Sequence, residues 1–232
     1  YMPTSTCGEI INYNNFSVSF CEEYRLSEWA IYYRKSTNWK SKGSFSRKGL
    51  YFKGDPNLKG RDADNGAYYK NPYDKGHLVP AADMNDNYES LKETFLFTNC
   101  TPQVDKFNRG GLKELEKKIR EWTNEFDNIA IITGWVVDDI RYYIYGPSII
   151  SEKENIAGSL YIPVPNYFYK VFIDTQRKRS IAFILPNEEL TKPLLEYAVS
   201  IDYLENVTGL DFFYKLSDAD ELSFELNTGN KK

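Results

Sequence analysis

One histidine, in the segment NPYDKGHLVPAADM at residues 71–84, is the side chain in this sequence best suited to acid–base chemistry. His77 is the only histidine among the 232 residues. An imidazole with an ordinary pKa near 6.5 can accept a proton at neutral pH, although a lone histidine is more often a surface residue or a satisfied core residue. Its role therefore depends on the groups that accompany it.

Three polar residues of the downstream segment FNRGGLKELEKKIR could complete such a site. Asn108, Glu116 and Arg120 are spaced by eight and four residues, so in a continuous helix they project from one side. An amide oxygen and a nearby carboxylate can hold a largely hydrated Mg²⁺, and a cation combined with a base is suited to phosphodiester hydrolysis. Taken singly, Asn108 would be a capping or turn residue, and Glu116 with Arg120 an ordinary helix pair.

The cysteines and glycines favour no other chemistry. Cys7, Cys21 and Cys100 do not have the spacing of a zinc site, and no glycine-rich phosphate loop is present. Cys7 and Cys21 could form a disulfide or remain reduced. The sequence therefore does not decide whether the protein works in an oxidising or a reducing compartment.

Charge is distributed unevenly along the chain. The net charge is −4, but the stretch Arg34–Arg61 contains nine basic residues and one acidic residue, giving +8, so the remainder carries −12. Such a concentration of positive charge could attract a polyanion, and the alternative is a solvated basic loop without a ligand.

The surrounding pattern predicts the elements that position these residues. β-Branched and aromatic runs predict strands at residues 9–20, 28–34, 128–137, 141–147, 169–174 and 180–186. Residues 36–75 predict a long ordered loop, which inside a domain is often functional. Without repeats or low-complexity linkers, the chain is interpreted as one α+β domain over residues 1–232, with a frayed tail at about 227–232.

The helix patterns are clearest in the second half of the chain. Residues 101–126 predict a helix with Thr101 as N-cap and Pro102 in the first turn. Its core-facing stripe comprises Leu112, Leu115, Ile119, Trp122 and Phe126. The pair Gly110–Gly111 inside it suggests that another group approaches the backbone closely. A last helix is predicted at roughly residues 190–204.

The run DKGHLVPAADM, followed by FLFTNCTPQVDKFNRGGLKELEKKIR, resembles the DNA/RNA non-specific endonucleases of the ββα-metal (His-Me finger) superfamily. The signature Asp-Arg-Gly-His corresponds here to residues 74–77, and Asn99, Asn108, Glu116 and Arg120 follow at the family spacing. Further landmarks extend the resemblance over most of residues 10–215. It implies a mixed, mostly antiparallel central sheet flanked by helices, with a ββα-metal catalytic motif.

The resemblance also implies a role for each matching residue. His77 would be the general base, Asn108 the direct ligand of a hydrated Mg²⁺ (with Mn²⁺ as a substitute), and Glu116 a ligand through water. Arg120 would bind phosphate near the leaving group. Asn99 would position the His77 loop or its substrate contacts.

Two further cations and one carboxylate complete the expected site. Arg47 would be the family's upstream phosphate-binding arginine. Lys75 replaces the signature arginine, which keeps a substrate-binding charge but loses bidentate geometry toward phosphate. Asp74 would be structural, tying the catalytic turn together.

The function implied is Mg²⁺-dependent, sequence-non-specific cleavage of DNA and RNA. The alternatives are a catalytically degenerate binding module and a phosphodiesterase acting on small nucleotides. Nucleic acid is the expected partner, with an inhibitor protein also to be considered, and the oligomeric state stays open between monomer and homodimer. No apolar run is long enough to span a bilayer, so no membrane partner is expected. The expected location is secreted or periplasmic after removal of a leader.

Overall fold

The computed structural model describes residues 1–35, 44–136, 139–151 and 160–226. Its centre is a seven-stranded sheet in which every neighbouring pair is antiparallel. In spatial order the strands are β1 (Glu9–Asn12), β2 (Phe16–Cys21), β3 (Leu26–Arg34), β6 (Ile129–Trp135), β10 (Tyr167–Asp174), β11 (Arg179–Pro186) and β12 (Ala198–Val199). The predicted α+β class and its mostly antiparallel sheet are confirmed.

Helices cover both faces of this sheet, which explains why β6 is buried at every residue. Side chains alternate between faces along a strand. Ile129 and Ile131 therefore pack in the same core as helix α2 (Leu112–Thr123), while Ala130 and Ile132 pack in a second core. Helices α3 (Ile201–Thr208) and α4 (Asp218–Leu226) contribute to that second core.

A separate two-stranded sheet carries the histidine. Strand β4 (Tyr73–His77) pairs antiparallel with β5 (Cys100–Val104), so that His77 lies opposite Cys100. The connection between them contains the short helix α1 (Tyr88–Glu93), and helix α2 follows β5. The expected ββα motif is thus β4, β5 and α2. A third sheet contains β7 (Ile140–Tyr145), β8 (Ser148–Ile150) and β9 (Ile162–Pro165).

The predicted start of the long helix at Thr101 and Pro102 is wrong, because these residues lie in β5. Pairing with β4 across the motif outweighs the local capping signal, and Thr101 is fully buried there. Helical geometry begins after Val104 and passes through a π-helical turn, Phe107–Gly111, before α2. The apolar stripe is confirmed, since Leu112, Leu115 and Ile119 are buried in the core and Trp122 and Phe126 pack against it.

The glycine pair behaves differently at its two positions. A Cβ on Gly111 would lie 2.3 Å from Cδ1 of Leu190, so a close approach exists there. Gly110 has no neighbour within 4 Å of such a Cβ among the described residues, and its backbone leaves helical geometry (φ −105°, ψ −106°). The expected close approach is therefore wrong for Gly110.

The predicted helix at residues 190–204 is also wrong over most of its length. A 3₁₀ turn at Leu194–Tyr197 and strand β12 precede α3, which begins only at Ile201. The Ser200 hydroxyl accepts a hydrogen bond from the Tyr203 amide and caps α3 at that point. The tail at 227–232 lies outside the described residues.

The cysteine pairing that the sequence left open is present in the structure. Cys7 and Cys21 form a disulfide, and Cys100 is free and buried.

Candidate active site

A cleft of about 780 Å³ contains most of the side chains singled out from the sequence. Its walls come from the loop before β4, from the segment that follows His77, and from the π-helical turn with α2 as far as Arg120. The lining includes Arg47, His77, Asn108, Glu116 and Arg120. Because it runs from Phe45 to Arg120, residues separated by up to 75 positions are brought to one surface.

His77 stands at the end of β4, and its imidazole packs against two aromatic rings that also contact each other. The ring centroids of Phe52 and Phe95 lie 4.7 and 4.9 Å from that of His77. Burial lowers the pKa of His77 to about 3, and the positive charge of Arg47 adds to this effect. The imidazole is therefore neutral at pH 7 and can accept a proton. Its Nε2 atom is enclosed and has no hydrogen-bond partner within the described part of the chain.

Gly76, the residue before His77, is required by packing. A Cβ at this position would lie 2.0 Å from Cδ of Gln103, a buried side chain of β5 whose Cα pairs with that of Asp74. The Asp-Lys-Gly-His sequence therefore has glycine where the Gln103 side chain covers the β4 backbone.

Asn108, in the π-helical turn, is held by Asp74 of β4. Its Nδ2 donates to Asp74 Oδ2 at 2.8 Å, and Arg109 Nε donates to the same oxygen at 2.8 Å. Burial raises the pKa of Asp74, but the hydrogen bonds from Arg109 and Asn108 outweigh burial, so the pKa lies below its usual value. Because a carboxylate only accepts hydrogen bonds, the amide nitrogen faces Asp74 and the amide oxygen is left for another partner.

Glu116 and Arg120 lie one turn apart on α2 and belong to a buried network of charges. Arg120 Nη1 lies 4.0 Å from Glu116 Oε2 and 2.8 Å from Asp83 Oδ1. The hydroxyl of Tyr32, on β3, donates to the other Asp83 oxygen at 2.6 Å. Asp83 is 1% exposed, so the Arg120 guanidinium is fixed from inside the protein.

The pKa of Glu116 is raised to about 7 because burial disfavours its charged form. Lys170, on β10, opposes this through its positive charge, and Asp83 adds to it. Lys170 is itself fully buried, with Nζ donating to Thr133 Oγ1 at 2.5 Å, and burial lowers its pKa. Glu116 is thus a carboxylate whose charge would be stabilised by an added cation.

Arg47 opens a tight turn at the cleft wall. The Leu50 amide donates to the Arg47 carbonyl at 3.0 Å, and Gly49 has the positive φ (+86°) that a type II turn needs at its third residue. The turn formed by the sequence RKGL therefore fixes the backbone of Arg47 at the cleft.

Two arginines of the basic stretch Arg34–Arg61 have acidic partners within the described part of the chain. Arg34 is 4% exposed and pairs with Asp86 at 3.2 Å. Arg61 pairs with Glu9 at 3.1 Å and Glu22 at 2.8 Å, so its charge is largely compensated. Lys40 and Lys42 lie outside the described residues. Among the described residues of the stretch, Arg47 lines the cleft, whereas Arg34 and Arg61 pair with carboxylates.

Asn99 and Lys75 do not line the cleft. Asn99 is fully buried; its Oδ1 accepts from the Val79 amide at 2.8 Å and its Nδ2 donates to the Val79 and Thr94 carbonyls. Asn99 therefore fixes the chain two residues after His77. This agrees with the first of its two expected roles, which was to position the His77 loop. Lys75 donates to Asn65 and lies over the rings of Tyr68 and Phe97, a placement that gives no support to phosphate binding inside the cleft.

The donor set fits a hard divalent cation. Asn108 offers an amide oxygen that Asp74 leaves free, and Glu116 a carboxylate whose pKa is raised by burial. Oxygen ligands with room for water are the preference of Mg²⁺.

Sequence reasoning missed several cleft residues. Arg109 and Lys113 bring two more cations, and Phe45 an aromatic ring. Asp83, which anchors Arg120, lies in the segment PAADM after His77. Its role could not be predicted from that segment, because its partner is 37 residues away in the sequence. A helical wheel of residues 105–120 could have suggested Lys113, but not Phe45.

A ββα motif that joins a histidine, an asparagine and a glutamate at a cationic cleft defines the class of ββα-metal nucleases. The family model of DNA/RNA non-specific endonucleases matches residues 1–219, so the chain belongs to this family. Among curated proteins, it is 29% identical to the mitochondrial nuclease EXOG of Xenopus laevis over 91% of this chain and 60% of that one. It is 28% identical to a nuclease of Syncephalastrum racemosum over 90% of this chain and 68% of that one.

Two further comparisons bear on the fold and on the extent of the chain. A solved complex of EndoG with EndoGI, which concerns EndoG inhibition, contains a chain of the same fold, with a TM-score of 0.75 and 22% identity over 91% of this chain and 88% of that one. The chain spans about 60% of the length of the EXOG proteins it matches. Within the described residues, no helix is long and apolar enough to cross a membrane.

Proposed function

We propose that this chain is a Mg²⁺-dependent, sequence-non-specific endonuclease that hydrolyses phosphodiester bonds in DNA and RNA. The main observation in support of this proposal is that one cleft is lined by His77, Asn108, Glu116 and Arg120. Membership of the nuclease family supports the same reaction. Mn²⁺ has the same oxygen-ligand preference and is the expected substitute.

In the proposed mechanism, His77 accepts the proton of the attacking water. The imidazole is neutral at pH 7, and the negative charge of a bound phosphate beside Arg47 would raise its low pKa toward the range of an effective base. Arg120, fixed by Asp83, donates to phosphate oxygens as negative charge builds up near the leaving group. Arg47 pairs with a phosphate at the opposite wall.

Asn108 would hold the cation directly through its amide oxygen, and Glu116 would hold it through water. When bound, the cation supplies positive charge that stabilises the pentacoordinate phosphorane and the leaving oxygen. Asp74 keeps the Asn108 amide in the required orientation.

The cleft residues favour a polymeric substrate that is recognised through its phosphates. Arg47, Arg109, Lys113 and Arg120 are all cations, and contacts with phosphate carry no base sequence. A degenerate binding module is disfavoured because both the histidine and the asparagine are retained at the cleft.

The compartment and the partners are part of the proposal. The Cys7–Cys21 disulfide favours an oxidising location such as the cell exterior or periplasm, whereas several relatives are named as mitochondrial nucleases. An inhibitor protein is proposed because the EndoG of the structural neighbour was solved with EndoGI.

A digestion panel tests the function. Supercoiled DNA, single-stranded DNA and RNA are each incubated with the protein in Mg²⁺, in Mn²⁺ and in EDTA, and a bis-nitrophenyl diester serves as a small substrate. Cleavage of all three polymers with either metal and none with EDTA is expected. His77→Ala should lower turnover by about 10²–10⁴-fold with an unchanged circular dichroism spectrum, and added imidazole should restore part of the rate.

Two outcomes would reject the proposal. If His77→Ala kept more than a tenth of the wild-type rate, the base would have to be another group. If only the small diester were hydrolysed, the phosphodiesterase alternative would replace the nuclease.

A further inference from the structure

An exposed aromatic ring stands among the cations of the cleft, and the proposed mechanism does not use it. Phe45 lines the cleft with Arg47 and His77, and 49% of its surface is exposed. A half-exposed phenylalanine in a polar cleft leaves apolar area in contact with water. That area is available to a flat apolar surface on the substrate.

The ring of Phe45 is held in position. Its amide donates to the Asn85 carbonyl at 2.7 Å, and its ring centroid lies 5.5 Å from that of Tyr88, at an interplanar angle of 49°. Tyr88 begins α1, and the Lys92 ammonium lies 5.2 Å from its ring centroid. A supported ring loses little conformational freedom when a second flat group stacks on its open side.

The residues beside Phe45 indicate which kind of flat group would stack on its ring. Only Ser46 separates it from Arg47, and all three residues line the cleft. A chain that places a phosphate at Arg47 brings its own bases within reach of a ring two residues away. The combination of cations that follow the backbone with an aromatic face is how proteins bind single-stranded nucleic acid without reading sequence.

We propose that Phe45, backed by Tyr88, is a stacking subsite for an unpaired nucleobase, and that it gives the cleft a preference for single-stranded nucleic acid. In a duplex both faces of a base are already stacked, so a base can reach Phe45 only after unpairing, which costs free energy. This inference rests on the proposed function, because it deepens the substrate class of the same cleft.

Kinetics with matched substrates test the subsite. The KM and kcat of wild type, Phe45→Ala, Phe45→Leu and Phe45→Trp are measured on one oligonucleotide, both single-stranded and annealed to its complement. Phe45→Ala should raise KM for the single strand by about 5- to 150-fold, the usual effect of losing one base–aromatic stack, and change duplex cleavage less than twofold. Phe45→Leu keeps apolar bulk against Tyr88 but should show most of the loss, whereas Phe45→Trp should retain binding.

Tyr51→Ala is the matched control. Tyr51 lies six residues further along the same loop and is 80% exposed, but it does not line the cleft. Its replacement should leave both KM values unchanged.

A binding measurement separates this proposal from the catalytic one. In the His77→Ala background, a single-stranded oligonucleotide containing 2-aminopurine should change its fluorescence on binding, and Phe45→Leu should abolish that change. Equal single-strand KM and equal fluorescence for wild type, Phe45→Leu and Tyr51→Ala would overturn the subsite while leaving the nuclease intact. Absence of cleavage by wild type, with fluorescence still dependent on Phe45, would instead reject the proposed function alone.

Discussion

Asp74 and Asn108 are joined by a hydrogen bond of 2.8 Å between the carboxylate of β4 and the amide of the π-helical turn. The two residues are 34 positions apart in the sequence. The bond uses the amide nitrogen of Asn108, so the amide oxygen, which is the proposed metal ligand, makes no hydrogen bond to Asp74. An outer residue that orients a ligand in this way commonly affects metal affinity by 10- to 100-fold.

We expect Asp74→Ala to weaken Mg²⁺ binding by at least about tenfold, because the Asn108 amide can then rotate. The dissociation constant is measured by isothermal titration calorimetry. Asp105→Ala removes the same charge from an exposed residue three positions before Asn108 and should leave affinity unchanged. Equal affinities for the two variants would show that Asp74 does not orient the ligand.

The raised pKa of Glu116 predicts that Mg²⁺ binding depends on pH. The pKa in the folded protein is about 7, compared with 4.5 for an unperturbed glutamate. In the metal-free protein, the stability associated with Glu116 is therefore fully present below pH 4.5 and is lost as pH rises through about 7. Since Mg²⁺ favours the ionised carboxylate, its stabilisation should increase over the same window.

Thermal unfolding with and without saturating Mg²⁺ measures this effect. We expect affinity at pH 5.5 to be roughly 30-fold lower than at pH 8, because a proton must be displaced. Glu116→Gln carries no such proton, so its smaller Mg²⁺ stabilisation should not vary with pH. A wild-type effect that is the same at both pH values would contradict the assignment.

Asp83 should contribute more to stability than its hydrogen-bond partner Tyr32. Asp83→Ala leaves the partly buried Arg120 guanidinium without its carboxylate, and such losses cost about 3–5 kcal/mol of unfolding free energy. Tyr32→Phe removes one hydrogen bond to the buried carboxylate and should cost about 1.5–3 kcal/mol. Urea unfolding of both variants checks the order, and similar losses would mean that the Asp83–Arg120 pair is not a structural anchor.

The salt dependence of nucleic-acid binding should depend on Arg47. Each phosphate neutralised on duplex DNA contributes about −0.9 to the slope of log K against log salt, so Arg47→Ala should reduce the slope by roughly one unit. Arg61→Ala is the control, because Glu9 and Glu22 already compensate that guanidinium. Binding is measured in the His77→Ala background, and parallel salt lines for all variants would exclude Arg47 from the interface.

The sequence alone determined the features that depend on short-range order. Runs of β-branched and aromatic residues located most strands of the central sheet, and the recurrence from Leu112 to Ile119 located the buried face of α2. The spacing of Glu116 and Arg120 along α2 placed them on one side, because helical geometry fixes the direction of each side chain. Asn108 precedes the non-helical Gly110, so helical spacing alone did not determine its position at the cleft. The resemblance to a family then connected these residues with His77.

Only the tertiary structure decided which residues pair across long separations. Thr101 and Pro102 have good helix-start propensity, but pairing with β4 places them in a strand. Arg34 and Arg61 seemed to be part of one basic surface, yet Asp86, Glu9 and Glu22 compensate them from 39 to 52 residues away. The same applies to Asp83, whose importance comes from Tyr32 and Arg120. Local pattern cannot specify such partners, because a side chain's charge and hydrogen bonds are satisfied by what the fold brings beside it.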